Sequence, residues 1–261
     1  MKSWPAYVLA FWLLAVFASV LLKLSPDHIH LELILQMPGL TAWLGSDDLG
    51  RDIFSRILAG AQVSMMVALA VTAITLTFGI CVGLVAGYFG GWIDRLLMQI
   101  TDVFLAFPGI LLAIAFAAVL GPGLNNLILA LCLTSWVGYA RLTRAQALSL
   151  RGRQHVQAAE SLGASTPRIM LKHMLPLLSA PLVVEATYSI AGLVIAEASL
   201  SFLGLGIQAP EASWGSMLRD GVRYMLVAPH YVLAVGLSLM SLVLAVNVLG
   251  DKLRDALDVQ R

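Results

Sequence analysis

Residues 63–87 read Val-Ser-Met-Met-Val-Ala-Leu-Ala-Val-Thr-Ala-Ile-Thr-Leu-Thr-Phe-Gly-Ile-Cys-Val-Gly-Leu-Val-Ala-Gly, and none of them carries a charge. A helix needs about 20 consecutive apolar residues to cross the hydrocarbon core of a bilayer. Buried strands are far shorter, and helices on the surface of a soluble domain keep a polar face. The run from Val63 to Gly87 therefore predicts a transmembrane helix, and with it the fold class: an all-α, polytopic membrane protein.

Five more apolar runs extend this reading in both directions. Tyr7–Leu22 is a first span, and 1–24 forms the N-terminal segment. The apolar run is long, Lys23 follows it directly, and no small-x-small cleavage site precedes Pro26, so an uncleaved helix is expected rather than a signal peptide. Val103–Leu120 is a third span with Pro108 near its start. Gly121-Pro122-Gly123 marks a tight turn, and Leu124–Ala140 follows as a fourth. Leu177–Leu203 is a fifth, interrupted by Glu185 and Glu197, and Tyr231–Gly250 is the sixth, closed by Asn247 and Asp251. The expected organisation is a loop over 25–61, a membrane domain over 62–251 and a tail over 252–261.

Composition agrees. Of 261 residues, 59% are hydrophobic and 12% charged, and the mean hydropathy is +0.88. Soluble domains carry about 25% charged residues. A net charge of +1 gives no electrostatic reason to expect a nucleic-acid partner. Cys81 and Cys132 sit in apolar runs and read as small hydrophobes, not as a disulfide framework.

Basic residues orient the chain. With the N-terminus in the cytoplasm, inside segments hold eleven Lys and Arg (Lys2, Arg95, Arg141, Arg144, Arg151, Arg153, Arg168, Lys172, Lys252, Arg254, Arg261). Outside segments hold five: Lys23, Arg51, Arg56, Arg219 and Arg223. Both termini are therefore expected inside.

The polar stretches between spans are 25–62, 88–102, 141–176 and 204–230, and the most informative is 141–176. Gln154–Leu162 favours a helix, and Gly163 is a natural stop. Ser165-Thr166-Pro167 reads as a cap with proline at the first helical position. A second short helix should end near Leu175, where Pro176 breaks it. One reading is a solvated basic loop that only sets topology. The other is a compact knob whose small residues, Ala158, Ala159, Gly163 and Ala164, suit docking into a groove on another protein.

The knob also carries a resemblance. Gln157-Ala158-Ala159-Glu160-Ser161-Leu162-Gly163, followed by Leu175-Pro176, resembles the Glu-Ala-Ala loop of binding-protein-dependent ABC importer permeases. Gln157 stands where that motif has glutamate, which removes any salt bridge made from that position and leaves the docking shape intact. Leu44-Gly45-Ser46-Asp47-Asp48-Leu49-Gly50-Arg51-Asp52 looks like the segment before the second span of peptide/nickel-type permeases. Glu197-Ala198-Ser199-Leu200-Ser201-Phe202-Leu203-Gly204-Leu205-Gly206 is similar to the end of their fifth span. Together these stretches cover roughly residues 40–258, and they match the second, C-type, permease of dipeptide, oligopeptide and nickel importers.

The resemblance implies the transmembrane domain of a type I ABC importer in a bacterial inner membrane. It implies a second homologous permease, two ABC ATPase subunits and a periplasmic or lipoprotein substrate-binding protein as partners. ATP would be used by those partners, with no cofactor and no catalytic residue on this chain; the sequence has no G-x-x-x-x-G-K-[ST] phosphate loop. The expected ATPase-coupling residues are Gln157, Ala158, Ala159, Glu160, Gly163, Ala164 and Pro176. Cargo is expected to be a di- or oligopeptide, with nickel or another small solute as the alternative.

Glu185 and Glu197 are the charges at membrane depth, and such residues usually face a cavity or a partner. Twelve helical residues separate them by about 120° around the axis and ~18 Å along it, so they share no stripe. That geometry disfavours a paired-carboxylate site and the ion relay of a stand-alone secondary transporter. Each is expected as a pathway or subunit-contact residue; the other reading is a hydrogen-bonded structural carboxylate for Glu197 and, for Glu185, within two turns of the cytoplasmic end, a carboxylate that simply reaches water or a neighbouring arginine. Asp47, Asp48, Arg51, Asp52 and Arg56 form a dense outside cluster, either a contact surface for a partner or an ion network that fixes the start of the second span. No metal site is expected. His28 and His30 make only a lone H-x-H, His155 and His173 fall on the knob surface, and H-E-x-x-H and G-x-S-G are both absent.

Overall fold

A computed structural model describes residues 4–21, 24–40 and 42–258. Lys2, Leu22, Lys23 and Arg261, used above to read spans and orientation, lie outside the described residues. Among the described residues ten α-helices follow in chain order: α1 (Trp4–Leu21), α2 (Ile53–Phe89), α3 (Gly91–Leu105), α4 (Gly109–Leu120), α5 (Leu124–Arg151), α6 (Gln154–Ser161), α7 (Thr166–Arg168), α8 (Leu175–Phe202), α9 (Trp214–Val222) and α10 (Pro229–Asp258). Among the described residues there is no strand, only one antiparallel bridge between Ser46 and Asp52.

Helix α2, the stretch that opened the sequence reading, is 37 residues long and starts ten residues before Val63. Asp52 sets that start: its carboxylate accepts from the Ser55 N–H at 2.8 Å, satisfying a donor that the first turn leaves unpaired. The helix stops where Gly90 and Gly91 both take positive φ. Helix α10 and the continuous Thr166–Phe202 helix are likewise long and apolar enough to span. Helix α1 is an apolar helix of 18 residues. Helix α5 is uncharged through Ala140 and then continues three turns as a polar extension.

Two expectations are corrected here. The third span is not one helix from Val103 to Leu120. Residues 91–105, read as mostly loop, form the amphipathic helix α3, which meets α4 at an angle of 84°. Pro108 is the reason. It pushes Phe107 out of helical geometry and cannot donate to the turn behind it, so the ladder breaks and restarts at Gly109. The second correction is at Pro176, expected to end a short helix. The chain instead runs as one helix from Thr166 to Phe202. It accommodates the proline by widening to a π-helical ladder over Ile169–Met174, immediately ahead of it.

The described residues pack into two large cores and a small third cluster around Trp136, Val137 and Ala140. The larger joins α1, α2, α4, α5, α8, α9 and α10 around Trp12, Ile57, Leu131, Leu200, Trp214 and Tyr231. Helix α9 folds back into it. The fully buried Trp214 donates its indole N–H to the Ile57 carbonyl at 2.9 Å and meets the Trp12 ring edge-on. The second core lies toward the other end and joins α2, α5, α6, the π turn and α8 through Leu84, Tyr139, Leu150, Val156, Met174 and Leu178.

The most extensive helix pair is α2 with α5. Gly79, Gly83 and Gly87, spaced by four, form the contact strip on α2. A Cβ added at Gly83 would sit 2.4 Å from the Ala140 carbonyl oxygen, and one at Gly79 2.5 Å from Tyr139 Cβ. In a bilayer, where no hydrophobic gain drives helices together, small residues that let backbones touch supply the association.

Candidate functional site: the knob and the membrane carboxylates

The knob is built on the second core. Helix α6 ends in a Schellman closure: Ala164 N–H reaches the Ala159 carbonyl at 3.0 Å and Gly163 N–H the Glu160 carbonyl at 2.9 Å. Gly163 has φ +79°, the left-handed geometry that favours glycine. Ser165 has the extended backbone of an N-cap, though its side chain makes no capping bond, and Pro167 follows in the first turn. Val156, Ala159 and Ile169 turn inward and anchor α6 against the start of the long helix. Gln157, Ala158, Glu160, Gly163 and Pro176 are exposed, while Ala164 is half-buried. Ala159, one of the expected coupling residues, is buried and holds the knob together from within.

Leu162 is a residue the sequence reading quoted but did not single out. It is 88% exposed at the tip of α6, beside the Schellman turn. A large apolar side chain held into water on an ordered turn is the signal that marks it.

Glu197 is fully buried between α8 and α2. Ser64 Oγ donates to its Oε2 at 2.6 Å and Ser201 Oγ to its Oε1 at 2.8 Å, with the Ser213 side chain as a further polar neighbour. In this conformation the carboxylate offers no surface to a solute or a second subunit. Glu185 is half-buried, three helical turns away, and lines a separate cavity. The two carboxylates are not brought together.

The cluster of Asp47, Asp48, Arg51, Asp52 and Arg56 is a buried ion network. Asp47 is 0% exposed; its Oδ1 accepts from the backbone N–H groups of Leu49 and Arg51, each at 2.9 Å. Its Oδ2 pairs with Arg51 Nε at 2.7 Å and faces Arg56 Nε at 3.4 Å. Arg56 also reaches Asp27 at 3.1 Å and the Pro26 carbonyl at 3.2 Å. Asp48 lies on the rim, 3.7 Å from Arg51, and Asp52 caps α2. Burial, and then the adjacent Asp47 charge, raise the Asp48 carboxyl above its ordinary value. His28 and His30 stack on each other with ring centroids 4.4 Å apart. Among the described residues, no group of three or more His, Cys, Asp or Glu is placed to hold a metal.

Two pairs had no sequence signal. Arg144 grips Asp94 through two bonds of 2.5 and 2.6 Å, and Arg141 pairs with Asp102 at 3.3 Å. These arginines, read only as topology markers, tie α3 to α5. Their partners are some 40–50 residues away in the chain, beyond the reach of any local pattern.

Fold and surface together define a class: a polytopic helical membrane subunit that carries a rigid helical projection at one end. The chain belongs to the family of binding-protein-dependent transport system inner membrane components, which it matches over residues 79–258. It is 43% identical over 251 residues to a dipeptide transport system permease protein of Alkalihalophilus pseudofirmus, covering 96% of this chain and 83% of that one. It is 41% identical over 253 residues to a glutathione transport system permease protein of Pectobacterium atrosepticum, covering 97% and 84%. An Escherichia coli protein of the latter name is 47% identical over 221 residues, covering 85% and 73%. Among solved structures, an inward-facing MetNI methionine ABC transporter is similar in fold, with a TM-score of 0.58 at 21% identity, covering 77% of this chain and 95% of that one. The chain is thus a membrane-spanning permease subunit of an ABC importer, a transport component whose family works with ATPase and substrate-binding components.

Proposed function

We propose that this chain forms half of the translocation pathway of an ATP-driven importer for di- or oligopeptides, and that its 154–176 knob is where ATPase subunits push. The observation that carries this is mechanical. The knob exposes Gln157, Ala158, Glu160 and Leu162 at its surface, while the helix that closes it runs without a break from Thr166 to Phe202. At 1.5 Å per residue that helix is about 55 Å long. A displacement of the knob therefore travels as a rigid-body motion to the opposite end of the membrane domain.

The working assembly pairs this chain with a second homologous permease, two ATPase subunits that use the ATP, and a substrate-binding protein outside. Both termini lie in the cytoplasm, on the side of the knob, as the eleven-to-five division of basic residues supports. The peptide cargo rests on the names of two relatives, one a dipeptide permease and one a permease for glutathione, itself a peptide.

The test is reconstitution of the complex with its cognate binding protein in proteoliposomes. Labelled alanyl-alanine should accumulate with ATP hydrolysis, and nickel should not. Leu162→Asp should lose the ATPase subunits on purification while the permease pair survives. Nickel uptake without peptide uptake would overturn the cargo. A chain stable and active alone would overturn the importer reading.

A further inference from the structure

A cavity of about 350 Å³ opens at the knob end of the molecule between α5, α8 and α10, within the ~300–1,000 Å³ range of small-molecule sites. Its lining includes Leu142 and Gln146 from α5, Glu185 and Tyr188 from α8, and Arg254 and Leu257 from α10. Three helices thus bring one carboxylate and one guanidinium to a single concave surface with apolar walls. Among the described residues Glu185 makes neither an ion pair nor a hydrogen bond. It is half-buried against α5, where Gly138 leaves it room: a Cβ there would lie 3.6 Å from Glu185 Oε1. A half-buried carboxylate on a concave wall, with neither an ion pair nor a hydrogen bond among the described residues, is an acceptor for a cationic ligand.

Arg254 is fixed differently. The Tyr188 hydroxyl donates to Asp251 Oδ1 at 2.6 Å and stands beside the Arg254 guanidinium. Tyr188 thereby occupies the acidic neighbour on α10, and Arg254, which spends part of its fork on the Tyr188 hydroxyl, keeps further N–H donors at the cavity wall that it lines, donors that suit a carboxylate.

We propose that this cavity binds a small zwitterion with a free ammonium and a free carboxylate: Glu185 takes the ammonium, Arg254 the carboxylate, and Gln146 hydrogen-bonds the amide between. This rests on the peptide reading of the cargo, and places a low-affinity peptide site at the cytoplasmic mouth, where released cargo is met from the inside. Leu142 and Leu257 then flank the side chains.

Calorimetric titration of the purified permease–ATPase complex in nanodiscs, without binding protein, tests it. Alanyl-alanine should bind saturably. Glu185→Gln and Arg254→Gln should each weaken it at least tenfold, with complex assembly unchanged by size exclusion. N-acetylation of the peptide should weaken binding to the wild type and leave Glu185→Gln unaffected; C-amidation should behave likewise toward Arg254→Gln. No saturable binding to the wild type, or equal losses for blocked peptides in every variant, overturns the site. Peptide uptake in proteoliposomes alongside such a failure sinks only this site; loss of peptide uptake itself sinks the cargo reading beneath it.

Discussion

At the scale of the residue, Glu197 shows how an ionisable group is retained, fully buried, near the end of a membrane helix. Both oxygens are engaged by hydroxyl donors of the same chain, so the expense of burial is met internally. Glu197→Gln keeps the volume and one acceptor, and rotation of the Ser64 or Ser201 hydroxyl can meet the new amide; a loss under about 1 kcal/mol is expected. Glu197→Ala strands two buried hydroxyls and leaves a void, and should cost about 2–4 kcal/mol. Thermal unfolding of the complex in detergent, read by tryptophan fluorescence, separates the two; equal shifts would show that the hydroxyl bonds contribute nothing. Asp47 is a second case. Removing it as Asp47→Ala leaves Arg51 and Arg56 buried with their main counter-charge gone, expected to cost about 3–5 kcal/mol, enough to lower the recovered yield of folded chain several-fold. Asp48→Asn should change little by the same measure, because its contact with Arg51 is long, 3.7 Å, and burial already disfavours its charged form.

At the scale of the element, the α2–α5 seam carries a sharp expectation. Gly83→Ala forces a Cβ to within 2.4 Å of the Ala140 backbone oxygen, an atom that cannot rotate away. It should destabilise by at least about 2 kcal/mol. Gly192→Ala and Gly236→Ala, whose added Cβ meets nothing within 4 Å, should be neutral or slightly stabilising through better helix propensity. Unfolding of the three variants in the same detergent ranks them. The seam also shows what a linear reading can hold. The charge-free run that became α2 was legible because lipid imposes a single requirement, apolarity over a fixed length. The glycine spacing of four within that run was equally visible, but its partner strip on α5 is a fact of packing. Pro108 and Pro176 make the complementary point. Pro176 was read as a helix breaker and Pro108 as part of a span, yet the chain bends by 84° at Pro108 and absorbs Pro176 behind a π turn. Pro108 is followed by Gly109, whereas Pro176 lies between leucines, and Met174 and Leu178 on either side of it pack into the second core. The knob was legible because Gly163, Ser165 and Pro167 are turn chemistry, written locally. The Glu185–Arg254 cavity was not, since its walls come from three helices far apart in sequence.

At the scale of the whole molecule, the proposed coupling role of the knob rests in part on Gly163, and its geometry narrows the expected effect of changing it. A Cβ at Gly163 would meet nothing within 4 Å, so bulk is not the obstacle; the φ of +79° is. Asparagine tolerates that conformation, whereas valine must strain against it by about 1–3 kcal/mol or leave it. Leaving it would undo the Schellman closure and swing Leu162 away from its place at the tip. Gly163→Asn should therefore keep at least half of the wild-type transport, and Gly163→Val should insert and assemble yet hydrolyse ATP without moving cargo. Parallel assays of ATP hydrolysis and peptide accumulation in proteoliposomes give the ratio directly. Equal coupling in both variants would mean that the turn's backbone plays no part in force transfer. Failure of both alike would mean that an exposed side chain at 163 blocks the ATPase groove itself, which puts the contact on the turn rather than on the face of α6 and Leu162.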